Sequence, residues 1–220
     1  MSTTPDTRRH APATERNREP ILAVLQRVLP PTGTVLEVSS GTGEHATYFA
    51  PRLAPRQWLP SDLAPGARAS IAAWQAVAPA ANLHAPLALD AAAPLWPVES
   101  ENFCQLRSAP DLKRHPIAAV VNINMIHIAP WAAGLGLLAG AGRILPPGGI
   151  LYLYGPYKQN GQHTAPSNVA FDASLQAQNS DWGVRDLEAV ETAAEAQGLA
   201  LIETIAMPAN NLSVVFRAIG

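Results

Sequence analysis

Apolar positions along the chain recur with two periods, and the switches between them outline an alternation of helices and strands. Ile21, Leu22, Leu25, Val28 and Leu29 keep the three- and four-residue spacing of one helix face, with Pro20 in the predicted first turn and Pro30-Pro31 as the stop. Residues 1–14, rich in Thr, Pro and Arg without an apolar period, read as a flexible N-terminal tail. Val35, Leu36 and Val38 form a short apolar run, as in a strand covered on both faces. A small-residue corner and a helix over about 43–53 follow. A second strand is predicted over 57–61, ending at Asp62, although Pro60 removes a ladder donor there. An Ala-rich helix over 65–78 leads to a third strand over 83–89, ending at Asp90.

Between 91 and 115 the periodicity disappears, and Pro94, Pro97 and Pro110 suggest a surface insertion with a short helix near 103–107. Ile117 to Asn124 is again a continuous apolar strand. Trp131, Leu135, Leu138 and Leu145 return to helical spacing as predicted core, and 150–154 is a fifth strand. A polar loop from Gly155 to Asn168 precedes helices over 168–179 and 184–197, the second stopped by Gly198. Strands over 199–207 and 212–218, joined by Pro208-Ala-Asn-Asn211, close the pattern as a hairpin. The expected architecture is a single α/β domain over 15–220, with a seven-stranded, mostly parallel sheet and an antiparallel C-terminal hairpin.

Composition narrows the class. A chain of 220 residues, 48% apolar, suits one α/β domain with a sizeable core. Fifteen basic residues against 17 acidic ones leave a net charge of −2, so no nucleic-acid partner is expected. Arg8, Arg9, Arg16 and Arg18 form an interrupted basic cluster that reads as solvated. Cys104 is the only cysteine, which excludes an intrachain disulfide. With no signal-peptide pattern at the start, a cytoplasmic address is expected. The longest apolar runs are interrupted by Asn, His, Gly, Pro and Arg, so no membrane span is expected. The six histidines lack metal-ligand spacing, and no metal site is expected either.

The candidate chemistry lies in Thr34 to Ala46. Gly41-Thr-Gly-Glu-His-Ala46 satisfies the G-x-G-x-x-A form of the dinucleotide fingerprint, and Asp62 follows Gly43 by nineteen residues. Gly41 and Gly43 leave room for a ligand beside the backbone. Taken alone, this signal fits NAD as well as S-adenosylmethionine (SAM), since both carry an adenosine whose ribose diol suits a carboxylate. Three features favour SAM. Glu37 precedes the glycines as in the acidic-x-G-x-G-x-G pattern of class I SAM-dependent methyltransferases, with Ser39 in place of the first glycine. The chain ends after a seventh strand, leaving little room for a dehydrogenase substrate domain. Asp90 stands where such methyltransferases often place a residue for the adenine amino group.

The likeness extends further. Arg16-Asn-Arg-Glu-Pro-Ile21, Val35-Leu-Glu-Val-Ser-Ser-Gly-Thr-Gly43, Pro60-Ser-Asp62, Asn124-Met-Ile-His127, Tyr154-Gly-Pro-Tyr157 and Met207-Pro-Ala-Asn-Asn211 resemble one small family of class I methyltransferase-like proteins, of the methyltransferase-like protein 26 type. Phe171-Asp172 and Trp182-Gly-Val-Arg-Asp186 are also similar to it. The blocks run from about residue 14 to near the end, and the departures lie mainly in the 91–115 stretch. The resemblance implies a Rossmann-like fold, SAM as cofactor and methyl transfer to an unidentified, small acceptor. A SAM-binding interaction protein without turnover is the alternative, and an NAD(P)-dependent oxidoreductase a third.

Within that resemblance, Glu37 is expected on the methionyl side of SAM, Asp62 on its ribose and Asp90 on its adenine. Gly41 and Gly43 would shape the turn. Asn124 would lie beside the transferred methyl, and Arg16 or Asn17 near the SAM carboxylate. His127 is the expected general base. Tyr154 and Tyr157 are expected to wall the acceptor, with Tyr157 as a second catalytic candidate. The competing readings are structural: Asp62 and Asp90 as helix caps, Ser39 and Ser40 as small turn residues, His127 and the tyrosines as packing groups, Asn210 and Asn211 as turn formers, and His45 as helix surface. Methyl transfer needs alignment and exclusion of water more than a fixed base, so the absence of a catalytic triad excludes nothing.

Overall fold

A computed structural model describes residues 6–103 and 110–220. Its elements are α1 (Pro12–Val28), β1 (Thr34–Val38), α2 (Glu44–Arg52), β2 (Gln57–Asp62), α3 (Pro65–Val77), β3 (Leu87–Ala88), β4 (Ile117–Ile123), α4 (Trp131–Ile144), β5 (Ile150–Gly155), β6 (Lys158–Gln159), β7 (Gln162–His163), α5 (Pro166–Gln178), α6 (Leu187–Glu195), β8 (Leu199–Met207) and β9 (Asn211–Ala218). Seven strands form one sheet in the order β3-β2-β1-β4-β5-β9-β8. β1 pairs in parallel with both β2 and β4, and β4 in parallel with β5. β9 runs antiparallel to β5 and β8. The expected seven-stranded, mostly parallel sheet is therefore present, with its antiparallel pair at the C-terminus.

Alternation along the strands divides the core into two layers. Val35 of β1 and Ile150, Tyr152 and Tyr154 of β5 face Ile21 and Leu25 of α1 and Phe49 of α2. Leu36, Val38, Leu151 and Leu153 face Leu137, Leu138 and Ala141 of α4 and Val190 and Ala194 of α6. The chain order reverses between β1 and β4, so the loops leaving their carboxyl ends diverge and open a crevice between them.

Several elements differ from the sequence pattern for identifiable reasons. α1 starts at Pro12, eight residues before Pro20, which lies inside the helix. The segment before it is tied down: the Arg9 amide donates to Ser70 Oγ at 2.8 Å and the Ala11 amide to a Glu44 carboxylate oxygen at 2.7 Å. Those partners are 61 and 33 residues away, out of reach of any local pattern. The third strand shrinks to Leu87–Ala88, with a single bridge from Trp58 to Leu83. Pro60 costs the sheet little. Its missing donor faces the β3 side, as the Trp58 amide does toward Asn82, and pairing with β3 begins only at Ser61.

The 91–115 stretch is not wholly superficial. Trp96 is fully enclosed and Phe103 buried, both in the layer beneath α4. Trp96 fits because Gly140 lacks a side chain: a Cβ there would lie 2.1 Å from the indole. The short helix expected near 103–107 falls largely on residues outside those described, as do residues 1–5 of the expected tail and Cys104. The polar loop after β5 folds into the β6–β7 hairpin. Among the described residues, no helix is long and apolar enough to cross a membrane, and no cluster of three metal-ligating side chains forms.

Candidate cofactor and acceptor site

Three adjoining cavities follow the crevice. The first, of about 400 Å³, lies over the carboxyl ends of β1 and β4 and is lined by Glu37, Gly41, Asp62 and Asn124, with Asn17 and His45 from α1 and α2. A second, of about 520 Å³, shares Asn17, Asn124, Ala13 and Ile128 with the first and continues past Tyr154 to α5 and the β8–β9 connection. A third, of about 320 Å³, shares Ser39, Met125 and Ala129 with the first and reaches Asp90.

The glycine turn is built for two tasks. At Gly43 (φ +90°) a Cβ would meet the Ile71 backbone at 2.7 Å, so this glycine lets α2 and α3 approach each other. At Gly41 (φ +58°) nothing lies within 4 Å of a Cβ position. That side of the backbone is open to the first cavity, and the Gly41 amide donates to Asp62 Oδ2 at 3.0 Å. Ser39 is also left-handed (φ +59°), a conformation costly for a residue with a Cβ. It stands at the junction of the first and third cavities.

Glu37 occupies the β1 face whose neighbour Val35 is core, and it is 2% exposed. Burial pushes its pKa up to about 7, opposed by hydrogen bonds from Trp58 and Ser40. The indole Nε1–H of Trp58 donates to Glu37 Oε2 at 2.8 Å. The result is a carboxyl poised between its two states in a wall of the cavity. Asp62 accepts one amide on each oxygen, from Gly41 at 3.0 Å and Ala64 at 2.9 Å. A carboxylate oxygen has capacity for a second donor, so both remain competent toward a ligand diol. Asp90 is exposed, accepts the Ala92 amide at 2.9 Å and lines only the third cavity.

The helix over the crevice separates two neighbours in sequence. Asn17 is buried and lines both the first and second cavities, whereas Arg16 is exposed and lines none of them. Asn17 Oδ1 meets His45 Nε2 at 2.8 Å, and the Asn17 amide also hydrogen-bonds the Tyr154 hydroxyl. His45, expected on the helix surface, is buried against Phe49 and faces the first cavity. Burial and the Arg18 charge lower its pKa to about 4, so the ring is neutral near pH 7. A signal was present: His45 precedes Phe49 by one helical turn, and Asn17 stands one turn before Ile21.

The two catalytic candidates lie elsewhere. His127 and Tyr157 are both fully enclosed, pack edge to face with ring centroids 4.8 Å apart and line none of the three cavities. His127 Nδ1 accepts the Arg185 amide at 3.3 Å, which places the ring proton on Nε2, and Nε2 has no partner among the described residues. Burial, followed by the Arg185 charge, depresses its pKa to about 3. Burial pushes the Tyr157 hydroxyl far above its ordinary value. A ring enclosed in this way has no path to a ligand's proton, and in this structure both side chains sit as packing groups away from the three cavities. Tyr154 does wall the second cavity, joined there by Asn168 and Phe171, which periodicity did not single out.

A model of the family described as "Protein of unknown function (DUF938)" matches residues 8–218. Solved structures similar in fold include the S-adenosylmethionine-dependent methyltransferase SibL in its apo form, 18% identical over 94% of this chain and 56% of that one, with a TM-score of 0.69. Human N-acetylserotonin methyltransferase in complex with SAM is 12% identical over 94% of this chain and 53% of its own, with a TM-score of 0.72. CalO1, a methyltransferase in calicheamicin biosynthesis in its SAH-bound form, is 17% identical over 93% and 55%, at a TM-score of 0.66. The chain thus spans a little over half the length of each. At such identities the likeness establishes the Rossmann-like methyltransferase fold.

Proposed function

The chain belongs to the family DUF938, and from the fold it shares with methyltransferases and the shape of its crevice we propose that it binds SAM in the first and third cavities and transfers its methyl group to a small acceptor in the second. The observation that carries this reading is the continuity of the three cavities around one acidic, glycine-opened turn at the point where the strand order reverses. Neighbours of the same fold have been solved with SAM and SAH bound, which supports the choice of cofactor.

The residues present fit such a ligand. Asp62 would take the ribose diol, its two oxygens each having spare acceptor capacity. The third cavity, with Asp90 on its rim and Leu89, Ala91 and Met125 in its wall, suits an adenine ring. Glu37 and Asn124 would hold the methionyl end, where an ionised Glu37 complements positive charge. When bound, SAM supplies an activated methyl group on a sulfonium leaving group. The chain's own work is to orient the acceptor and to exclude water. Asn17 and α1 close the crevice from above, and Asn124 and Ile128 form the passage between the cavities.

Calorimetry with SAM, SAH and NAD tests the cofactor. Micromolar SAM binding with no response to NAD is the expected result, and preference for NAD would return the chain to the oxidoreductase reading. Labelled-methyl transfer into a fractionated cell extract tests turnover. Tight SAM binding with no labelled fraction would favour an interaction protein that uses SAM only as a ligand.

A further inference from the structure

The second cavity differs from the first in its chemistry. None of the side chains lining it carries a charge at neutral pH, and Tyr154 is its only titratable group. Burial raises the Tyr154 pKa and outweighs the opposing hydrogen bonds with the Asn17 and Asn211 side chains, so the phenol stays protonated. The remaining polar groups are mainly amides whose nitrogens already hold the wall together. Asn168 Nδ2 donates to the Asn210 carbonyl at 3.0 Å and to Thr164 Oγ1 at 3.0 Å. Asn210 Nδ2 donates to Ser167 Oγ at 3.0 Å, and Asn211 Nδ2 to the Pro208 carbonyl at 3.0 Å. The Asn17 oxygen is taken by His45, so the oxygens of Asn168 and Asn210 stand as acceptors in the wall, with the Asn124 amide and the Ser167 hydroxyl, beside the rings of Tyr154 and Phe171.

These groups discriminate between acceptors. An ionised oxygen or sulfur nucleophile would lose its hydration in a cavity whose lining side chains offer no cation, leaving the sulfonium as the one positive charge in reach. A neutral alcohol or phenol must also give up a proton, and no side chain lining the cavity is placed to take it, which handicaps an oxygen acceptor relative to a nitrogen one. A neutral nitrogen lone pair requires neither. Amide oxygens and aromatic faces favour the positive charge that such a nitrogen acquires. We propose that the second cavity accepts an uncharged nitrogen heterocycle of one or two rings, and that the methylated atom is its nitrogen. The nitrogen lone pair forms the new N–CH3 bond as the C–S bond breaks, with that electron pair passing to sulfur. Positive charge moves from sulfur to nitrogen, and a nitrogen that carried hydrogen then releases its proton to water. This assignment rests on the methyl-transfer reading, but the selectivity of the cavity can be measured apart from it.

The test uses benzimidazole, the product-like cation 1,3-dimethylbenzimidazolium, 2-naphthol and the anion 2-naphthoate, each titrated into the protein with and without SAH. Both heterocycles should bind at least roughly tenfold more tightly than 2-naphthoate. Equal or tighter binding of 2-naphthoate, or no binding of either heterocycle, would overturn the proposal. With SAM present, mass spectrometry should find a methyl group on the benzimidazole nitrogen and none on 2-naphthol, and the reverse pattern would overturn it equally. Phe171 is 41% exposed, so Phe171→Ala should fold normally. That variant should weaken heterocycle binding roughly three- to tenfold and leave SAM affinity unchanged. Failure of SAM to bind would remove the cofactor reading alone, because the heterocycle titrations without SAH still report on the cavity.

Discussion

The first and second cavities share a wall and little else. One is framed by Glu37 and His45, whose charge states are set chiefly by burial, and by Asp62, whose oxygens accept backbone amides, at the carboxyl ends of β1 and β2 and the start of α2. The other is framed by amides and rings from the C-terminal third of the chain, without a formal charge. On the proposed function, an acidic turn at the strand ends would grip a ligand by fixed, preorganised partners. A neutral wall of side chains would select by what it withholds. The division teaches that the proposed cofactor and acceptor sites would draw on separate groups, and that Asn17, which touches both His45 and Tyr154, lies where they meet.

Variants can break or sharpen that contrast. The largest effect should come from Gly43→Ala, which must displace the Ile71 backbone and hold a Cβ at φ +90°. A loss of about 3 kcal/mol, seen as a Tm lowered by about 6–12 °C, is expected, with both cavities affected together. A melting curve matching that of the unaltered protein would remove Gly43 from the packing argument.

Next in size, Asp62→Ala should weaken SAM roughly 10- to 100-fold, about 1.4–2.7 kcal/mol, while heterocycle binding persists. Calorimetry showing unchanged SAM affinity would take Asp62 out of the cofactor site.

A pH titration follows from Glu37, whose pKa of about 7 means that it is largely protonated below neutrality. A cationic ligand favours the ionised form, so SAM affinity should fall by up to about tenfold per pH unit below pH 7 and level off above it. In Glu37→Gln the slope should vanish, and a slope kept in that variant would assign the titration to another group. The smallest expected effect is Arg16→Ala. Because that side chain is exposed and lines no cavity, SAM affinity should stay within about twofold. A larger loss would show that α1 presents Arg16 to the ligand.

The periodic elements were legible because their pattern is local. Ile117–Ile123 and Ile150–Gly155 appear as apolar runs, and α4 forms where its spacing predicted, although Leu135, read as core, is exposed and the buried face runs instead through Leu137, Leu138 and Ala141. Glu37, Gly41 and Asp62 were legible because the turn after a buried strand leaves few alternatives to that residue pattern. Asn17 and His45 carried a weaker signal, the extension of an apolar helix face by one turn. The placement of His127 and Tyr157 was not legible, because a titratable residue just after a strand end can turn toward the crevice or under it. Here the Arg185 amide draws His127 under, in the absence of any sequence cue.

The succession of strands and helices, the glycine turn and the acidic positions were therefore determined by the sequence alone, since backbone sterics and burial act over a few residues. Which residues share a cavity was decided only by the tertiary structure. Asn17 meets His45 across 28 positions, Asn168 meets Asn210 across 42, and Trp96 finds its slot at Gly140. Contacts of that kind depend on how helices and loops pack on the sheet, and no period along the chain encodes them.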